Sequence, residues 1–248
     1  MLTVKRDFTI LFFTMSTTKK IIFILLVLFT FASCASVSFH PMAYEEDLTE
    51  YDTYEIQTKA IGKQKIIYGD YEILFINTIR NEKEVLISDI GTKNENILQK
   101  GKVYKLGYEL FELSFIENVS GFVIHDKNST TSLTDSTFTL EIGKTLIPIS
   151  NDKKRSLISL ESPMNLKIEN VSTYINEKGK IYHVLFDMPM GAKVLIDDEL
   201  FAVIDYYQNP AQIRVNKSFS KEISEDNRDF INILMLSAYH FCTSFSNQ

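Results

Sequence analysis

Short stretches of apolar–polar alternation, broken at close intervals by turn formers, most limit what this chain can fold into. Phe138-Thr139-Leu140-Glu141-Ile142 and Met164-Asn165-Leu166-Lys167-Ile168-Glu169 place apolar side chains at alternate positions. That is the period of a strand with one face buried. Ile73-Leu74-Phe75-Ile76 and Leu200-Phe201-Ala202-Val203-Ile204 are continuous apolar runs, suited to strands covered on both faces. Turn formers separate such stretches at Gly69-Asp70, Asn81-Glu82-Lys83, Lys100-Gly101-Lys102, Gly143-Lys144, Glu177-Lys178-Gly179-Lys180 and Asp197-Asp198-Glu199. The expected fold is mainly β: an antiparallel sandwich or partly open barrel with one C-terminal helix, with α+β as the alternative.

That helix is expected over residues 224–242. Ser224 is a good N-cap, and Glu225 and Asp226 place negative charge in the first turn, where the helix dipole favours it. Phe230, Ile231, Ile233, Leu234, Met235, Leu236, Ala238, Tyr239 and Phe241 then cover most of the circumference. Such a helix must be buried, against a sheet or across the end of a barrel. Ile116-Glu117-Asn118-Val119-Ser120 recurs as Ile168-Glu169-Asn170-Val171-Ser172, which makes a duplicated unit, residues 101–150 and 153–204, conceivable.

Ahead of the β region lies a segment that is not fold. Lys19 and Lys20 precede an apolar core from Ile21 to Phe31, followed by Ala32, Ser33, Cys34, Ala35 and Ser36. A positive start, an apolar core too short to span a bilayer and a run of small residues have the form of a secretory signal. Met15 gives this segment a normal charged opening, so translation is expected to begin there. The end of the segment resembles the lipobox of bacterial lipoprotein precursors. The resemblance covers residues up to about 36 and none of the domain beyond. It implies cleavage before Cys34 and lipid on its sulfur, hence a bilayer partner through an acyl anchor. The absence of aspartate after the cysteine implies the outer membrane if the envelope is Gram-negative. Ordinary secretion, with cleavage after Ala35, is the alternative. The organisation expected is a signal peptide over 1–33, a lipidated cysteine and acidic tether over 34–58, and a β-rich domain over 59–248.

The whole chain has 26 Lys and Arg against 32 Asp and Glu. Four of those basic residues lie ahead of Cys34, so the remainder is more acidic still, and nucleic acid is not an expected partner. No Walker loop, dinucleotide fingerprint, Gly-x-Ser-x-Gly or His-Glu-x-x-His motif occurs. His183 and Asp187 share one side of an expected strand and are the candidates for a metal or proton-transfer site, against the plainer reading of ordinary strand residues. Tyr206 and Tyr207, beside Gln208-Asn209-Pro210, are the candidates for an exposed stacking surface. Cys242, in the apolar helix, reads as a small buried hydrophobe. No catalytic residue and no cofactor is expected. The reading is a lipid-anchored envelope module that binds a protein or glycan partner or serves envelope assembly. The alternatives are an envelope hydrolase with dispersed residues, or a structural spacer.

Overall fold

The computed structural model describes residues 42–43, 48–59, 64–87, 90–126, 129–150, 156–161, 164–176, 178–184 and 189–245. All lie in the second of the chain's two units, His40–Gln248. The leader, Cys34 and Asp187 are outside the described residues.

The strands are β1 (Tyr51–Lys59), β2 (Lys65–Tyr68), β3 (Tyr71–Ile87), β4 (Ile90–Lys105), β5 (Tyr108–Asp126), β6 (Ser129–Ile142) and β7 (Thr145–Ile149). After them come β8 (Ser156–Leu160), β9 (Leu166–Val171), β10 (Thr173–Ile175), β11 (Ile181–His183), β12 (Gly191–Ile196), β13 (Glu199–Asp205) and β14 (Ala211–Asn216). Helix α1 spans Lys217–Glu222 and α2 spans Glu225–His240, continuing into a π-helical turn over Phe241–Phe245.

Twelve strands form one antiparallel sheet in the order β7-β6-β5-β4-β3-β2-β1-β14-β13-β12-β9-β8, and β10 pairs with β11 alone. Its two end strands come together without a ladder: the Ser150 N–H, just past β7, donates to the Leu157 carbonyl of β8 at 2.9 Å. The sheet is therefore a nearly closed barrel. This agrees with the expected mainly β class and selects barrel over sandwich.

Helix α2 fills the barrel. Ser224 caps it, accepting the Asn227 N–H, and Glu225 and Asp226 stand in its first turn, as the sequence predicts. Every residue from Ile231 to His240 is buried, so no side of this stretch faces water. Its side chains reach strands all round. His240 stacks on Phe75 of β3 at 4.1 Å and meets Phe115 of β5 edge-on. Phe241 meets Phe138 of β6, and Cys242 donates to the Asn170 side chain of β9. Burying an aliphatic or aromatic side chain contributes about 1.5–3 kcal/mol, so this one helix supplies much of the shared core.

Two expectations are corrected. Residues 51–58, assigned to the tether, form β1 together with Lys59, and this strand closes the sheet against β14 through Tyr51↔Asn216 and Ile56↔Ala211. Ile56 is the single buried residue of that strand, so no alternation marks it. The turn formers at Asn81–Lys83 and Lys100–Lys102 lie inside β3 and β4. These strands run on past the barrel with β5 and β6 as a four-stranded arm. Both faces of the arm meet solvent, where polar residues cost nothing in a strand. The turns at Gly69-Asp70, Gly143-Lys144 and Asp197-Asp198 are real, and the β4–β5 connection is Leu106-Gly107, both at positive φ (51° and 84°). Of the recurring pentapeptides, 116–120 lies in the middle of β5, whereas Ile168–Val171 ends β9.

Candidate functional site

One end of the barrel opens into a cavity of about 480 Å³. Tyr54 of β1, Tyr68 and Tyr71 flanking the Gly69-Asp70 turn, and Phe201 of β13 supply its apolar wall. Lys105, Glu225, Arg228 and Asn232 supply the polar one. Tyr54 meets Tyr68 edge-on at 5.4 Å, and Tyr68 stacks with Tyr71 at 6.3 Å. A smaller hollow of about 190 Å³ shares Tyr54, Val215 and Ser220 with this cavity, and adds Asp52, Lys217 and Lys221.

A charged latch sets the shape of this mouth. Lys105 Nζ reaches Asp229 Oδ1 at 2.8 Å and Glu225 Oε1 at 2.9 Å, and Tyr71 Oη donates to Asp229 Oδ1 at 2.6 Å. The β4–β5 turn and the first turns of α2 are thereby tied together. Asp229, then Glu225, hold the Lys105 ammonium above its ordinary pKa. Burial, then Asp229, push the Tyr71 phenol up to about 12. These groups spend their charge on one another. Arg228 differs: its Nη2 donates to the Ile223 carbonyl at 3.1 Å, while its buried Nε has no hydrogen-bond partner among the described residues. The mouth thus presents the ring of Tyr54, 41% exposed over the buried Tyr68–Tyr71 pair, beside the guanidinium of Arg228, a combination suited to planar or hydroxylated surfaces carrying an acceptor.

The candidates taken from sequence lie elsewhere. Tyr206, expected to be exposed, is 5% exposed and packs edge-on to Tyr239 of α2. Tyr207 is half-buried. The cause is Asp205, whose carboxylate accepts the Tyr207 and Gln208 N–H groups and turns the chain back over the core. His183 is exposed in the two-stranded β10–β11 hairpin, and its suggested partner Asp187 is outside the described residues. Among the described residues no group of three His, Cys, Asp or Glu side chains could hold a metal. Cys242 is buried as expected, and burial pushes its thiol up to about 12.

The mouth itself was missed because its residues are far apart in sequence and look like strand core. Tyr68-Gly69-Asp70-Tyr71, a tight turn with an aromatic on each side, is the one local signal that points to it. Comparison with known proteins finds no match: no family model, curated protein or solved structure is similar to this chain.

Proposed function

We propose that this protein is a lipid-anchored envelope module that binds, without catalysis, a glycan segment bearing acidic or hydroxyl acceptors at the barrel mouth. The observation that carries the reading is the exposed ring of Tyr54 beside the Arg228 guanidinium in the wall of a cavity of about 480 Å³. Sugar rings lay their apolar faces on aromatic side chains, and a guanidinium takes a carboxylate or vicinal hydroxyls through its fork of donors. Among the described residues the barrel interior is taken up by α2, whose stretch from Ile231 to His240 is buried throughout.

The first described residues, Met42 and Ala43, are tied into the fold. The Met42 N–H donates to Asp205 Oδ2 at 3.1 Å, the Ala43 N–H donates to the Thr173 carbonyl, and Met42 is fully buried. Asp205 ends β13, whereas Phe201 of the cavity wall lies near its start.

Binding of a glycan array by the wild-type chain and by the Tyr54→Ala and Arg228→Gln variants tests the site. Both variants are expected to lose at least tenfold in affinity for whichever acidic glycan the wild type retains. Equal binding by all three would refute the site. Retention of Cys34→Ser in the detergent phase would separately refute the anchor.

A further inference from the structure

We propose that the arm formed by β3–β6 pairs with a second copy of this chain, through the free edge of β6, about a two-fold axis at Leu133. Strand β7 covers β6 only from Phe138 to Ile142. From Ser129 to Thr137, β6 has β5 on one side and no strand on the other among the described residues. Residues 129–135 and Thr137 are exposed.

The direction of the free backbone groups follows from the ladder. The Gly143 N–H donates back to Glu112 across β5, and the Gly143-Lys144 turn pairs Ile142 with Thr145 of β7. Odd-numbered residues of β6 therefore bond to β5, and Thr130, Ser132, Thr134 and Ser136 point their N–H and C=O groups at the open edge. The Ser136 N–H confirms this, being taken at 2.9 Å by the side chain of its neighbour Asp135 rather than by β5.

The two edges of the arm are treated differently. That of β3 carries Arg80, Glu82, Lys83 and Glu84 and a bulge at Phe75/Asn77, the devices that keep a sheet edge from recruiting another strand. The edge of β6 reads Ser-Thr-Thr-Ser-Leu-Thr-Asp-Ser-Thr, with no proline, lysine or bulge. Only one register of two antiparallel copies uses all of it, the one centred on Leu133. Thr130 and Ser132 then exchange backbone hydrogen bonds with Ser136 and Thr134 of the second copy, and the reverse. Asp135 faces Thr131 rather than another carboxylate, and releases the Ser136 N–H to its new acceptor. Leu133, 62% exposed, meets Leu133 at the closely spaced, non-hydrogen-bonded pair. The row Val85-Thr92-Phe122-Leu133, which crosses the arm on one face, then runs on unbroken into the second copy. The tip beyond this row also exposes Leu86, Ile90 and Ile124, but a bilayer is the less suitable occupant, because it would leave the outward N–H and C=O groups of β6 without partners where a second strand satisfies them.

The closely spaced pair sets the two α-carbons about 4.5 Å apart, within disulfide range. In the chain carrying Cys34→Ser, whose remaining Cys242 is buried, Leu133→Cys is expected to oxidise to a species of twice the mass. Phe122→Cys, similarly exposed on the same face but one strand in from the edge, is expected to stay single. Sedimentation velocity without added cysteines is the second measurement. The sedimenting mass should double with rising concentration, and Leu133→Lys or Thr134→Pro should hold it at one chain. Equal cross-linking of the two cysteine variants, a mass that never rises, or a doubling that survives Leu133→Lys would each overturn the proposal. Pelleting with phosphatidylcholine vesicles without doubling would overturn it in favour of lipid.

Discussion

Histidine 240 sits where water does not reach, and that couples the fold to pH. Its ring lies between Phe75 and Phe115, its Nε2 meets Gln99 Oε1 at 2.7 Å, and burial lowers its pKa from 6.5 to about 3. With the carbonyl of Gln99 as acceptor, the neutral ring keeps its proton on Nε2. In the unfolded chain the same ring takes up a second proton below about pH 6.5. The unfolded state thus binds more protons between about pH 6.5 and 3, and stability falls as the pH falls through that window. Each unit costs about 1.4 kcal/mol, or about 2 kcal/mol at about pH 5. Carboxylates also titrate in this range, so the effect is isolated by comparison with His240→Phe, which keeps the ring packing. That variant leaves Gln99 without its donor and should be less stable than wild type by about 1–3 kcal/mol at neutral pH. Urea unfolding of both proteins at about pH 7.5 and about pH 5 should show the gap shrinking by about 2 kcal/mol as the wild type loses its advantage. A gap that stays constant with pH would mean that His240 enters the fold charged or hydrated, and the argument would fail.

Two further outcomes follow from the packing and the latch. Gly191 lies so close to the Ile204 carbonyl and to Met42 Sδ that a Cβ there would overlap both. Gly191→Ala should therefore cost about 2–4 kcal/mol in urea unfolding, whereas Gly69→Ala, open around its Cβ but at φ +52°, should cost only about 1 kcal/mol. Lys105→Met removes the cation shared by Asp229 and Glu225 and should lower stability by about 1–2 kcal/mol. It should also loosen the β4–β5 turn, read as faster amide exchange at Tyr104–Tyr108.

The sequence reveals these features unevenly, and the reasons are physical. Helix α2 was legible in full, because a Ser cap, acidic first turn and apolar circumference all state one structure. The strands at Phe138–Ile142 and Leu200–Ile204 were equally plain, since each has at least one face in the core. Strand β1 was not, because a strand held mainly by its neighbours' backbone needs no hydrophobic pattern. The arm was hidden for a related reason: with water on both faces, its Asn, Lys and Glu residues resemble a loop until Asn96 and Asn118 are seen bonded side by side at 2.7 Å. The mouth is assembled from β1, β2, β3, β4, β13, β14 and both helices, and no local pattern can bring Tyr54 to Arg228.

The order in which the chain emerges has a consequence for how it matures. Every strand precedes the helix that fills the barrel, and β1 waits for β14, more than 150 residues later, before it gains that partner. A partly emerged chain can zip its hairpins but has nothing to put inside them. The arm, built from neighbouring hairpins, is therefore exposed with its open β6 edge for as long as the interior stays empty. A chain cut short before Glu225 would keep the adhesive edge and lack the core. Such fragments should be targets for proteolysis and seeds for clumping.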